Sequence, residues 1–136
     1  MTTQWKHAFT VGIAPQLTVA GLTALRMALA KNDQRLLQGA TTCPPPLQCV
    51  QDWPCEGGCP ISFAGWEGNQ LETVAQVEEF FARTCAQADE LLGEVAGSRY
   101  FLNFWDTTPR AEARTLLLAE VDAALASRRV PQTAVA

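Results

Sequence analysis

One histidine, His7, serves the whole chain of 136 residues. That alone excludes multi-histidine metal sites and the glutamate-plus-histidine di-iron bundle. Phosphate-cradling and nucleophile motifs are missing as well: there is no P-loop, no G-x-G-x-x-G and no G-x-S-x-G. No apolar run approaches a membrane span, the longest aliphatic cluster being Leu116-Leu117-Leu118-Ala119. The opening Met-Thr-Thr-Gln-Trp-Lys-His lacks the charged-then-apolar layout of a secretory signal, so the expectation is a cytoplasmic protein. Charged residues are scarce, at 18% against 48% hydrophobic. That balance excludes a disordered chain and supplies one real core. The length fits a single domain over residues 1–136.

A net charge of −4 argues against a nucleic-acid surface, and nothing favours an anionic membrane. The charge is unevenly spread: residues 67–136 hold six Arg against eleven acids, and between Glu67 and Glu94 only Arg83 opposes the acids. The plain reading is a solvated helix face, and the sharper one is an acidic docking face for a basic partner. Glu78, Glu79, Asp89 and Glu90 fall mostly on the water side of a helix, so they do not make an acid–base pair, and an enzyme is unsupported.

What is present is helical patterning around an unusual middle. Val19, Leu22, Leu25, Ala28 and Leu29 repeat at three and four residues after Thr18, and Leu36 and Leu37 extend the pattern to a stop at Gly39. A second stripe runs Val74, Val77, Phe81, Cys85, Ala88, Leu91, Leu92 and Val95, opened by a Thr73/Gln76 capping box or by Asn69 with Glu72 and closed at Gly97. Tyr100 with Phe104 and Phe101 with Trp105 suit a short helix with two aromatic ridges. Thr108-Pro109 opens a last helix to about Arg129, with Ala113, Leu117, Val121 and Leu125 as its apolar line and a loose tail over 131–136. These patterns predict an all-α fold: three long helices, one or two short ones, and an insert over 39–68 packed on the bundle.

Residues 39–68 hold five of the eight Pro, five of the nine Gly and four of the five Cys, with only Asp52, Glu56 and Glu67 charged. A loop so long and so apolar is expected to fold down, packing Trp53, Ile61, Phe63 and Trp66. Pro44-Pro45-Pro46 reads as a stiff lead-in. Cys49–Trp53 and Ile61–Ala64 are candidates for a minimal hairpin across Glu56-Gly57-Gly58, and any strand should be confined to the insert.

Cys43, Cys49, Cys55 and Cys59 follow C-x5-C-x5-C-x3-C. Four clustered thiols are the donor set of a structural zinc or an iron–sulfur centre, although only the last spacing suits a zinc knuckle. Buried thiols, a local disulfide (Cys55–Cys59 or Cys43–Cys49) and a redox thiol compete with the metal. Cys85, on the second stripe, reads as packed. The aromatics exceed what a small core must have, and Trp53, Phe63, Trp66, Tyr100 and Trp105 are candidates for a surface that meets another protein. Two functions follow as expectations. One is a small interaction or adaptor protein using the insert and these aromatics. The other is a zinc, iron–sulfur or thiol-redox protein using the insert cysteines.

Overall fold

The computed structural model describes residues 4–43 and 53–135. The chain is all-α. A helical run opens it: α1 (Gln4–His7) continues through π-helical residues Ala8–Ile13 into a 3-10 turn, Ala14–Gln16. Then come α2 (Val19–Lys31), β1 (Thr42–Cys43), β2 (Gly57–Gly58), α3 (Pro60–Gly68), α4 (Val74–Leu92), α5 (Arg99–Thr107) and α6 (Arg110–Val135). α2 packs on α3 and α6, the N-terminal run packs on α4 and α5, and one contiguous core draws on every helix.

The helix starts are written in the sequence. Thr18 accepts a hydrogen bond from Gly21 N at 2.9 Å, and Thr73 with Gln76 forms the full capping box, so the Asn69/Glu72 alternative is excluded. The ends differ from the sequence reading. α2 stops at Lys31 because Asn32 turns left-handed, and Leu36 and Leu37 lie in extended chain beyond it. α4 stops at Leu92, with Gly93 at φ +66 as its cap rather than Gly97. Its buried stripe is Val74, Val77, Phe80, Thr84 and Ala88, while Leu91 is 54% exposed and Val95, past the cap, is 95% exposed. α6 buries Ala113, Leu117, Val121 and Leu125 as expected, but it runs on through Pro131 to Val135 where a loose tail was expected.

Two corrections bear on function. The N-terminal run, to which the sequence patterns assign no element, belongs to the core through Trp5, Ala8, Phe9 and Ile13. And Ile61–Ala64 is helix, not half of a hairpin, because Cys59 is extended and Pro60, with its φ fixed, opens α3. The small sheet pairs Thr42 with Gly58 and Cys43 with Gly57. Gly58 also bridges Leu36, its amide donating to Arg35 O (2.9 Å) while Leu37 N donates to Gly58 O (2.8 Å). A Cβ at Gly57 would meet Arg35 O at 2.9 Å, so the glycine pair is what lets two strands of chain close on it. Pro44-Pro45-Pro46 and Cys49 lie outside the described residues.

Three arginines of α6 tie the bundle together. Arg114 donates to Leu29 O and Ala30 O and Arg110 to Asn32 Oδ1 and Asp33 O, all at the C-terminal end of α2. Arg128 donates to Ala14 O and Leu17 O, both at 2.8 Å, after the 3-10 turn. Ala14 O also accepts from Leu17 N (3.1 Å) and Leu29 O from Asn32 N (3.5 Å), but acceptors near helix ends run short of amide donors, and a planar guanidinium fork reaches two at once. Arg128 thus serves another helical segment, not the end of its own helix.

Candidate functional site

The N-terminal run and α5 meet through rings. Trp5 of α1 stacks on Phe104 of α5, centroids 3.7 Å apart and planes 4° from parallel. Phe9 meets Phe101 behind them at 5.4 Å. The two aromatic ridges read from α5 are therefore real, with one buried (Phe101, Trp105) and one facing outward (Tyr100, Phe104). Between α1, α5 and the first turns of α6 this leaves a groove of 390 Å³. Its apolar wall is Trp5, Phe104 and Leu116, and Gln4, Asn103 and Glu112 supply amides and a carboxylate at the rim. Volume and lining are those of a small ligand or side-chain site.

A second depression, 240 Å³, adjoins the groove through Gln4 and Tyr100 and takes in His7, Leu92 and Glu94. Tyr100 donates its hydroxyl to Glu94 Oε2 at 2.7 Å. That bond and the carboxylate's charge raise the phenol's pKa, so Tyr100 stays a neutral donor. Lys6 Nζ is 6.0 Å from the Trp5 centroid. Sequence reading named Tyr100 for a partner surface and Phe104 for a ridge of α5, but it placed neither Trp5 nor His7 here, because a contact between the chain's opening residues and α5 leaves no local pattern.

The other aromatics read as a partner surface separate. Phe63 and Trp105, each 1% exposed, are core and present no surface. Trp66 is half-buried, edge-on to Phe63 at 5.7 Å, and Arg35 lies over both rings at 5.2 and 5.4 Å. The same guanidinium binds Asp33 and Glu67, and it holds the Asp33 carboxyl below its ordinary value. Trp53 is 53% exposed at the edge of the stretch 44–52, which is not described.

The cysteines divide into two groups. Cys43 is exposed at the end of β1, and Cys55 is buried beside it, its thiol donating to Gly57 O at 3.3 Å. Cys59, buried at the start of α3, lies 3.5 Å from Ser62 Oγ. Cys85 is half-buried on α4 near Cys59. Among the described residues no three His, Cys, Asp or Glu side chains are grouped to hold a metal. The proposed ligands Cys43, Cys55 and Cys59 are thus not gathered at one point, and Cys49 lies outside the described residues.

Burial raises the pKa of the Cys55, Cys59 and Cys85 thiols, that of Cys85 to about 12. The native chain therefore holds these protons more tightly than the unfolded one, whose thiols titrate near 9.0. Their contribution to stability is complete below that value and is lost as pH rises through it toward 12. Urea unfolding between neutral and alkaline pH should show a steady loss of stability that Cys85→Ala makes shallower. An identical pH slope in the variant would contradict the assignment.

No helix among the described residues is long and apolar enough to cross a membrane. Comparison with known proteins gives no match to a family model, a curated protein or a solved structure.

Proposed function

We propose that this chain is a small interaction protein that binds a partner segment in the groove between α1, α5 and α6. The observation that carries the reading is the Trp5–Phe104 stack, in which the buried Trp5 fixes the half-buried Phe104 ring as a preformed wall beside Leu116. Rigid stacked rings lose little freedom on binding, which is why aromatic anchors dominate protein interfaces. The occupant we infer is a peptide segment carrying an apolar or aromatic side chain next to Arg or Lys. Glu112 at the groove and Glu94 in the adjoining depression supply the negative rim, in a chain of net charge −4. The site differs from the insert surface expected from the sequence, and Tyr100 is the residue common to both.

Calorimetric titration with two short peptides tests it, one pairing Phe with Arg and one with Glu in place of Arg. The first should bind the wild-type chain and the second about tenfold more weakly or not at all. Glu112→Lys should erase that preference while leaving the thermal midpoint near the wild-type value, since Glu112 is exposed. Equal binding of both peptides, or none, would count against the reading.

A further inference from the structure

The short sheet brings together two cysteines that the sequence separates. Cys43 pairs with Gly57, yet its carbonyl accepts from Glu56 N at 2.7 Å, one residue earlier, whereas Thr41 O accepts from Cys59 N in register. The second strand therefore carries an extra residue at this point. That bulge draws Cys55 toward Cys43. The Cys55 thiol donates to Gly57 O, the residue paired with Cys43, and it also lies beside the Cys43 main chain. One thiol of the pair is exposed and the other is 6% exposed. The segment holding Cys55 is also fixed in place: Cys55 N donates to Glu72 O (2.8 Å) and Val74 N donates to Trp53 O (2.9 Å).

We propose that Cys43 and Cys55 are a reversible dithiol–disulfide pair that exchanges with low-molecular-weight disulfides such as oxidised glutathione. The exposed Cys43 thiolate attacks the small disulfide, forming a mixed disulfide and releasing one thiolate. Cys55 gives up its proton to solvent and attacks the Cys43 sulfur, releasing the second. Two protein thiols are oxidised to one disulfide, and one small disulfide is reduced to two thiols. Cys55 resolves the adduct because, among the described residues, it is the thiol that is both fixed and adjacent. Cys59 is turned toward Ser62 on the far side of β2, so the Cys55–Cys59 bridge suggested by their short separation is not the one the fold prepares.

The test is disulfide mapping of the whole folded chain after equilibration in buffers of graded reduced and oxidised glutathione. No Lys or Arg lies between Arg35 and Arg83, so trypsin leaves four cysteines in one peptide. Chymotryptic cleavage after Leu47 and Asp-N cleavage before Asp52 together separate Cys43, Cys49 and Cys55. The expected product is a Cys43–Cys55 linkage that reduced glutathione reverses, unchanged in Cys49→Ser. In Cys55→Ser the glutathione adduct should persist on Cys43, and Cys49→Ser carries the test by itself if Cys55→Ser does not fold. A dominant Cys43–Cys49 or Cys55–Cys59 linkage, a lasting adduct on Cys43 in the wild-type chain, or no oxidation of Cys55 would each overturn the proposal.

Discussion

Trp105→Ala should cost about 3–5 kcal/mol of stability, the range for emptying a large buried aromatic site. Trp105 is 1% exposed and sits on the inner ridge of α5. It also fastens the chain that follows α2, together with the bridge from Leu36 to Gly58. Its indole Nε1 donates to Leu37 O at 2.7 Å, and its own carbonyl accepts from Gln38 Nε2 at 2.6 Å. Asp106 Oδ1 next to it accepts from Gly39 N at 2.9 Å. Truncation removes the ring and leaves the Leu37 carbonyl without that partner. Trp105→Phe separates the two effects. It keeps most of the apolar surface, so its loss should be about 1–3 kcal/mol, the cost of an orphaned buried acceptor. Urea unfolding of both variants measures this, and a loss under about 1 kcal/mol for the alanine would contradict the packing described.

The second large effect has an unusual sign. Gly→Ala inside or at the end of a helix ordinarily gains up to about 1 kcal/mol. At Gly68 it should instead destabilise by about 1–3 kcal/mol or more, as overpacking does. A Cβ there would lie 2.3 Å from Gly21 Cα and 2.4 Å from Gly21 N. Both are main-chain atoms of α2, so no side chain can swing away and α2 and α3 must separate. Gly65, one turn earlier on α3, has the Phe80 ring 2.3 Å from its would-be Cβ, which is why Phe80 rather than Phe81 joins the core. The measurement is the thermal midpoint of Gly68→Ala, expected well below wild type. A raised midpoint would show that α2 and α3 do not cross this closely.

Which parts of this could be read from sequence follows from the range of the forces involved. Thr18, Thr73/Gln76 and the line Ala113–Leu117–Val121–Leu125 act within one or two helical turns, and their spacing announces them. The ends of α2 and α4 were misread because the apolar pattern outlasts the helix. Leu36 is buried by extended chain that bridges to Gly58, and Val95 is an exposed residue that merely falls in phase. The arginine forks of α6 reach carbonyls far away in the chain, which no local pattern encodes. The groove was hidden for the same reason. Trp5 and Phe104 stack across most of the chain's length, and a short opening segment with one tryptophan carries no periodicity. Of the insert, its burial was legible at Ile61 and Phe63, but its helix was not, because Pro60 was counted with the loop prolines rather than as the first residue of α3.

The proposed binding role stands or falls on where a ligand lands. Amide and indole NMR shifts of the labelled chain, followed during titration with the Phe–Arg peptide, locate it directly. The account predicts saturable shifts centred on the Trp5 indole, Tyr100, Asn103, Phe104 and Leu116, fading toward Trp53 and Trp66. Shifts centred on Trp53, Trp66 and Leu71 instead, or shifts that never saturate, would contradict it.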